Sequence, residues 1–220
     1  MTAARGLNSG SPCMGGRGEP GTRLSFVAPL ETSAPRTGTP SPRRGLLVCL
    51  AGFMGSGKTT VGRLLAAQMS CRFVDLDERI EEAAGISIRE IFERFGEPRF
   101  RELEYEMLDR VLGEIAAAGG SAVVALGGGT WTFAQTRNRV LLQQAGAAVI
   151  WLDCPLEELA RRCASMTNRP LFRDESSLRD LFHQRLPSYR TAHFRVDGRG
   201  EPREVVTRIM ELECFEGVRP

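Results

Sequence analysis

The glycine-rich segment GFMGSGKTT, residues 52–60, constrains the fold of this chain more than any other feature. It follows an apolar run, Leu46 to Ala51, that predicts a buried strand, and it precedes a segment with helical periodicity that begins near Val61. The spacing Gly-x-x-x-x-Gly-Lys-Thr between a strand and a helix is the pattern of the phosphate-binding P-loop. The alternative is a chance glycine-rich turn, but such a turn would not be expected to lie between a strand and a helix. The chain is therefore predicted to bind a nucleoside triphosphate.

The lysine of this motif is the only lysine in the sequence, because every other residue among the 29 lysines and arginines is arginine. A compact ammonium on a long stem can reach the β- and γ-phosphates inside a curved backbone cradle, whereas a planar guanidinium would fit poorly. Backbone N–H groups and the positive end of the following helix also favour bound phosphate. The predicted phosphate-binding cradle consists of Gly55, Ser56, Gly57, Lys58, Thr59 and Thr60. Within it, the hydroxyl of Thr59 is predicted to ligate Mg²⁺.

Composition limits the remaining possibilities. A chain of 220 residues that is 42% hydrophobic and 25% charged is long enough for one α/β domain with a sizeable core. No apolar run approaches the ~18 residues of a membrane span, and a net charge of +2 gives no reason to expect a nucleic-acid partner. The six cysteines contain no C-x-x-C pair, which favours reduced thiols that pack in the core.

Three regions differ in composition. Residues 1–44 are rich in Gly, Pro, Ser, Thr and Arg, residues 45–216 carry the strand and helix patterns, and residues 217–220 form a short tail. We expect the first region to be a disordered extension, or to follow from an upstream start codon, because it cannot bury enough apolar surface to fold. An organelle transit peptide is the alternative reading of this Arg- and Ser-rich segment.

Strand candidates alternate with helical segments from residue 45 onward. This alternation predicts a parallel sheet of about five strands with helices on both faces, a three-layer α/β/α fold. A capping box, Ser87-x-x-Glu90, predicts the start of one helix, and another helix is predicted from about Pro202 to Phe215. Because ligands bind beyond the carboxyl ends of parallel strands, residues that follow each strand are candidates for the site. The strand candidates are Leu46 to Ala51, Cys71 to Leu76, Ala122 to Leu126, Ala147 to Leu152 and Phe194 to Asp197.

Two aspartates stand at the end of the second strand candidate, in Phe73-Val74-Asp75-Leu76-Asp77. If the strand continued through both, its two-residue period would put Asp75 and Asp77 on one face, with Cα atoms ~6.6 Å apart. One carboxylate could then face the water shell of Mg²⁺ while the other binds or deprotonates an acceptor hydroxyl. Two solvated carboxylates that end a strand are the structural alternative.

Three consecutive glycines, Gly127 to Gly129, follow the third strand candidate. Bare backbone allows a small substrate to lie directly against the chain, although a flexible turn would also be compatible with glycine. Between the second and third strands, Arg101 and Glu104 are spaced i, i+3 on a predicted helix. Glu104 could hold the guanidinium in one orientation for recognition of a carboxylate, or the two could form an exposed ion pair.

In this order and spacing, the motifs resemble those of shikimate kinase over roughly residues 45 to 215. The P-loop is common to many kinases, but its combination with Asp-x-Asp, Gly-Glu-x-x-Phe-Arg-x-x-Glu and the triple glycine is distinctive. The segment after the glycines, Thr130-Trp131, departs from the family pattern, in which small residues are usual here. The resemblance rests on GSGKTT, the Phe-x-Asp-x-Asp strand end, IFERFGEPRFRELE, VVALGGG, NRPLF and RLPSY.

The resemblance implies a P-loop fold of the nucleoside-monophosphate-kinase type, with a mobile lid, and ATP- and Mg²⁺-dependent phosphorylation of the 3-hydroxyl of shikimate. It implies that Asp77 is the base and holds the ring hydroxyls, that Arg101 and Arg185 bind the substrate carboxylate, and that Gly127, Gly128 and Gly129 pack along the ring. Thr59 would ligate Mg²⁺ directly and Asp75 through water. Arg169 would belong to the lid and act on the transferring phosphoryl group together with Lys58. The adenine would lie between Arg162 and Pro202, near Arg199.

Two classes of alternative remain from the residues. Another small-metabolite kinase, for gluconate or for a nucleotide, would share the P-loop, and a non-catalytic nucleotide-binding protein would share the fold. We prefer a catalytic kinase to the non-catalytic protein because Lys58, Asp77 and Arg101, which a non-catalytic protein would be expected to lose, are all present. The expected protein is a monomer in the cytoplasm, or in a plastid if residues 1–44 are a transit peptide, with shikimate as its small-molecule partner and no nucleic-acid or membrane partner.

Overall fold

The computed structural model describes residues 45–164 and 175–216. Within them, five parallel strands form one sheet with the order β2-β3-β1-β4-β5. This confirms the predicted five-stranded parallel sheet. The strands are β1 Leu47–Ala51, β2 Arg72–Asp75, β3 Ala122–Ala125, β4 Ala148–Asp153 and β5 Phe194–Asp197.

Seven α-helices connect and flank these strands in the described ranges. The predicted capping box is present, since the Ser87 hydroxyl accepts from the Glu90 backbone and the Glu90 carboxylate accepts from the Ser87 backbone. The last predicted helix is shorter than expected: it ends at Met210, and a separate 3₁₀ turn spans Glu213–Phe215. The helices are α1 Lys58–Gln68, α2 Leu76–Ala84, α3 Ile88–Ala118, α4 Thr136–Gln144, α5 Leu156–Ala164, α6 Glu175–Tyr189 and α7 Pro202–Met210.

The central strands are buried on both faces. All five residues of β1 and all four of β3 are buried, as a parallel sheet covered by helices requires. One core cluster packs β1, β3, β4 and β5 against α1 and α7, with side chains such as Leu65 and Ile209 fully enclosed. The core therefore fixes the position of α1, whose first residue is Lys58.

The strand order places β1 between β3 and β4. The chain leaves β1 toward β2 on one side of the sheet, and later crosses to β4 on the other side. A crevice is expected at the carboxyl end of β1, where the winding direction changes. The P-loop starts at this point, directly after Ala51.

The second strand is shorter than predicted from the sequence. It ends at Asp75 rather than Leu76, and Asp77 lies in the first turn of α2 instead of on the strand. The reason is local, because the Asp75 carboxylate caps α2 by accepting from the backbone N–H groups of Asp77 and Glu78 at 3.0 and 3.3 Å. The argument from the two-residue strand period was therefore wrong.

Helix α3 is kinked at Gly96, which has φ 76° and ψ 172°. This positive φ is accessible to glycine at little cost, and Pro98 then begins the second half with a φ suited to a first helical turn. The kink separates the capped first half from the half that carries Arg101 and Glu104.

The described cysteines Cys49, Cys71, Cys154, Cys163 and Cys214 are all free thiols, and the first, third and fourth of them are buried. Burial raises the pKa of Cys49 to about 12, so this thiol stays protonated and inert. Among the residues with described structure, no helix has the length and apolar character needed to span a membrane.

Two helical glycines provide a matched test of packing between α1 and the sheet. A Cβ at Gly62 would lie 2.5 Å from Cε2 of Phe73, whereas a Cβ at Gly113 would have no atom within 4 Å. We expect Gly62→Ala to lower the free energy of unfolding by about 1–3 kcal/mol through overpacking. Gly113→Ala should raise it by about 0.5–1 kcal/mol through helix propensity. Urea unfolding measures both changes, and shifts of the same sign would contradict the packing described here.

Candidate active site

The P-loop lysine is held by the loop itself. The ammonium of Lys58 donates to the carbonyl oxygens of Gly52 and Phe53, each at 3.0 Å, and the residue is only 9% exposed. The N–H of Ser56 closes a turn by donating to the carbonyl of Phe53 at 3.2 Å. The loop is therefore ordered around a positive charge at the N-terminus of α1, an arrangement suited to phosphate.

The other predicted cradle residues occupy the start of this helix. Gly55 and Gly57 have φ values of 76° and 90°, so the loop turns through conformations that expose its backbone N–H groups. Ser56 is buried at 2% exposure, whereas Thr60 is exposed. The two glycines therefore set the path of the loop, and the Ser56 side chain is enclosed within it.

Thr59 and Asp75 join the starts of two helices. The Thr59 hydroxyl on α1 donates to Oδ2 of Asp75 at 2.6 Å, while Oδ1 of the same carboxylate caps α2. A hydroxyl and a carboxylate oxygen at this distance form a hard oxygen donor set, which fits Mg²⁺. Since the described residues contain no cluster of three or more His, Cys, Asp or Glu that could hold a metal, such an ion would need phosphate oxygens and water as further ligands.

Arg101 and Glu104 form a buried ion pair, which excludes the exposed pair considered from sequence. The Arg101 side chain is 14% exposed and that of Glu104 only 1%, with Nη1 and Oε2 separated by 3.0 Å. Arg101 also donates from Nε and Nη2 to Oε1 of Glu97 at 3.1 and 2.9 Å. Burial acts to lower the pKa of Arg101, but Glu104 and Glu97 outweigh it and raise the pKa above its usual value. The guanidinium is therefore permanently charged and held from two sides.

The three glycines after β3 are contacted by charged groups from three different elements. A Cβ at Gly127 would lie 2.7 Å from Oδ1 of Asp77, and one at Gly128 would lie 3.3 Å from Nη1 of Arg185. A Cβ at Gly129 would lie 2.6 Å from both terminal nitrogens of Arg101. The lack of side chains at Gly127, Gly128 and Gly129 lets the acid and both guanidiniums lie close to the backbone of this glycine segment.

Arg185 is fixed from α6. It is 7% exposed, its guanidinium carbon lies 5.9 Å from the centre of the Phe53 ring, and it is hydrogen-bonded to the Tyr189 hydroxyl. Burial raises the pKa of Tyr189 to about 12, although Arg185 and Arg101 act to lower it. The hydroxyl consequently stays protonated and donates to the carbonyl of Gly128 at 2.5 Å.

The residues predicted around the adenine lie on three segments. Arg162 on α5 donates to the P-loop carbonyl of Gly55 at 3.3 Å and to Glu158 at 2.8 Å. Pro202 is the first residue of α7, and Arg199 precedes it in a loop, paired with Asp197 and 66% exposed. Arg162 is thus joined to the P-loop, while Arg199 is directed into its own ion pair.

A pocket of about 420 Å³ opens at the carboxyl ends of β4 and β5. Of the predicted nucleotide residues, Arg199 lines this pocket, and neither Arg162 nor Pro202 is among its lining residues. Asp153 and Asp197, the last residues of the two strands, pair with the arginines on its wall. The pocket is lined by Asp153, Pro155, Arg195, Asp197 and Arg199.

Sequence reasoning missed three residues of this region, and one predicted residue lies outside the described ranges. Thr130 and Asn138 both contact the buried carboxylate of Glu104, and Tyr189 contacts Gly128. The signal for Thr130 was its presence beside the glycines, where the family pattern has smaller residues. Arg169, predicted in the lid, falls between the two described segments.

Comparisons with known proteins identify the family of this chain. Residues 54–213 match the family model described as shikimate kinase. The chain is 46% identical to a shikimate kinase of Geobacter sulfurreducens over 175 residues, which cover 76% of this chain and 91% of that protein.

Solved structures lead to the same family. A shikimate kinase from Acinetobacter baumannii in complex with shikimate superimposes with a TM-score of 0.68 at 34% identity, covering 76% of this chain and 92% of that one. The shikimate kinase of Aquifex aeolicus gives a TM-score of 0.64 at 32% identity, covering 78% and 97%. The chain therefore belongs to the shikimate kinase family.

Proposed function

We propose that this protein transfers the γ-phosphoryl group of ATP to the 3-hydroxyl of shikimate, giving 3-phosphoshikimate and ADP, on the route to chorismate and the aromatic amino acids. Family membership supports the reaction, and the relative from Acinetobacter baumannii was solved with shikimate bound. The observation that carries the proposal is the convergence of Asp77, Arg101 and Arg185 on the three glycines. A carboxylate beside two guanidiniums suits an acceptor that has both an acid group and hydroxyls.

The two arginines would bind the acceptor carboxylate. A guanidinium has five N–H donors, and three of those on Arg101 already donate to Glu97 and Glu104, which leaves one on each terminal nitrogen. These two donors match the two oxygens of a carboxylate. Arg185, held by Tyr189 and packed near Phe53, would supply a second positive charge from α6.

Asp77 would orient the acceptor hydroxyl and take its proton. Its carboxylate lies beside the Cα of Gly127, at the same strip of backbone that the arginines contact. A substrate lying along the glycines would therefore have its acid group near the guanidiniums and a hydroxyl near Asp77. Fixed placement of both ends converts binding energy into orientation of the reacting oxygen.

Lys58 would neutralise negative charge on the phosphate groups of ATP during the transfer. The acceptor oxygen forms a bond to the γ-phosphorus, the bond to the bridging oxygen of ADP breaks, and the proton of the hydroxyl passes to Asp77. Negative charge then accumulates on the phosphoryl oxygens and on the leaving group, where the ammonium and the backbone N–H groups of the P-loop are placed to stabilise it.

We propose Thr59 and Asp75 as the protein groups that hold Mg²⁺, Thr59 directly and Asp75 through water. Their oxygens are 2.6 Å apart, and both are ligands that this ion accepts. When bound, the ion would neutralise phosphate charge.

The base of ATP would lie near Arg162, Pro202 and Arg199. The bond from Arg162 to the Gly55 carbonyl supports this placement, because it connects α5 to the phosphate loop.

Arg169 is proposed as the lid residue that closes over the transferring group. Closure would exclude water, which could otherwise accept the phosphoryl group.

The finer assignments of organisation and location are also proposals. The kinase domain would span residues 45–216, with residues 1–44 as an extension and 217–220 as a tail, and we expect it to act as a monomer. Free cysteines throughout the described segments are compatible with a reducing compartment such as the cytoplasm.

The choice of acceptor can be tested directly. Shikimate, gluconate and AMP, offered in parallel at equal concentration with MgATP, should give shikimate-dependent ADP release well above the other two. A gluconate kinase would also use arginines for its acid group, and a non-catalytic protein would release ADP with none of the three. Shikimate turnover equal to the blank without acceptor would contradict the proposal.

Replacing the guanidinium of residue 101 by an ammonium group should affect the binding of shikimate and not that of ATP. We expect Arg101→Lys to raise the KM for shikimate about tenfold or more, because a point charge cannot reproduce two parallel hydrogen bonds. The KM for ATP should stay near its wild-type value. Arg99→Lys is the matched control, since Arg99 forms an i, i+3 pair with Glu102 on a more exposed face of the same helix. An unchanged KM for shikimate in Arg101→Lys would assign that arginine a structural role.

Lys58→Arg tests the ammonium of the P-loop. The larger planar group cannot be enclosed by the same carbonyls, and we expect turnover to fall by about a thousandfold. The far-UV circular dichroism spectrum should match that of the wild type, because the sheet and its core do not depend on this side chain. Turnover near the wild-type rate would show that positive charge alone suffices at this position.

A further inference from the structure

The carboxylate of Glu104 is fully buried and receives hydrogen bonds from three elements. Oε2 accepts from Nη1 of Arg101 at 3.0 Å and from Nδ2 of Asn138 on α4 at 3.3 Å. Oε1 accepts from the Thr130 hydroxyl at 2.8 Å, and Thr130 itself is 0% exposed. Each oxygen of the carboxylate is therefore held by a group other than the arginine.

This arrangement fixes the plane of the carboxylate. If Arg101 were its only donor, the carboxylate of Glu104 could rotate about its last bond. The guanidinium would then be held in one orientation by Glu97 alone. Thr130 removes that freedom at Oε1, and Asn138 adds a second bond at Oε2. Because the group has no access to water, a donor that is lost cannot be replaced, and the cost of its absence is larger than at the surface.

Thr130 also packs against the three glycines, Gly127 to Gly129, that precede it. A Cβ at Gly127 would lie 2.9 Å from Oε1 of Glu104 and 3.0 Å from Oγ1 of Thr130, and the N–H of Thr130 donates to the carbonyl of Gly127 at 3.2 Å. The hydroxyl thus connects the turn after β3 to the carboxylate that holds Arg101.

We infer that Thr130 and Asn138 are positioning residues for the acceptor: through Glu104 they orient the guanidinium of Arg101 toward the substrate carboxylate. This inference rests on the proposed function, and it adds two fully buried residues to the acceptor site. Threonine at this position supplies a hydroxyl that a smaller apolar residue would lack.

Steady-state kinetics of Thr130→Val test the inference, because valine keeps the shape of threonine and removes only the hydroxyl. We expect the KM for shikimate to rise about tenfold, while the KM for ATP changes less than about twofold. Thr130→Ser should restore the KM for shikimate to near the wild-type value. Asn138→Leu should raise the same constant, by a smaller factor because its bond to Glu104 is longer.

Thr136→Val is the matched control. Thr136 lies at the start of α4, and its hydroxyl donates to the carbonyl of Phe133 at 3.1 Å without contact to Glu104. Both Michaelis constants should remain near wild type in this variant. A KM for shikimate that is unchanged in Thr130→Val, or an equal rise for shikimate and ATP, would overturn the inference.

The guanidinium can be observed without any turnover. In ¹⁵N NMR spectra, rotation of the Arg101 guanidinium should be slow in the wild type and in Thr130→Ser, and it should be measurably faster in Thr130→Val. Equal rotation rates in wild type and Thr130→Val would overturn the inference even if shikimate is the substrate. If the wild-type protein does not phosphorylate shikimate, the proposed function fails, while this measurement still decides whether Thr130 orders Arg101. Should Thr130→Val not fold, Thr130→Ala provides the same comparison.

Discussion

The absence of side chains at three consecutive positions, Gly127 to Gly129, is the constraint on which the site depends. A Cβ atom at each of the three would lie within 3.3 Å of a different charged group, from α2, from α6 and from the second half of α3. A methyl group at Gly129 would lie 2.6 Å from the Arg101 guanidinium, a distance at which that guanidinium would have to move. The arginines and the aspartate meet because this strip of backbone leaves them room.

Asp75 connects the two ends of the proposed reaction. One carboxylate oxygen accepts from Thr59 in the phosphate loop, and the other caps the helix whose first turn carries Asp77. A single side chain therefore fixes the start of α1 relative to the start of α2. The donor and acceptor sides are joined by hydrogen bonds of 2.6 and 3.0 Å rather than by separate loops.

Local patterns predicted most of the fold, because the strands, the capping box and the P-loop are each encoded within a few residues. The prediction that Asp77 lies on the second strand was wrong. The sequence at Asp75 is compatible with a continued strand and with a helix cap, and the structure has the cap. The pair Arg101 and Glu104 was found by its spacing, but i, i+3 spacing is the same on a surface and in a core, so its burial could not be predicted.

The residues that sequence reasoning missed depend on contacts between distant parts of the chain. Thr130 meets Glu104 across 26 positions, and Tyr189 meets Gly128 across 61. Neither contact leaves a periodic signal, since each exists only after the sheet has brought α3, α6 and the turn after β3 together. The role of Arg169 was assigned by resemblance and stays a prediction, because that residue lies between the two described segments.

The solitary lysine has a practical consequence. An amine-selective reagent can modify only one side chain in this protein, together with the α-amino terminus, because every other basic side chain with a long stem is a guanidinium. That side chain is 9% exposed and hydrogen-bonded to two loop carbonyls, so its acylation would require the loop to release it. The unmodified protein thus contains a chemical reporter at its phosphate loop, and the rate at which Lys58 is labelled measures how often that loop opens.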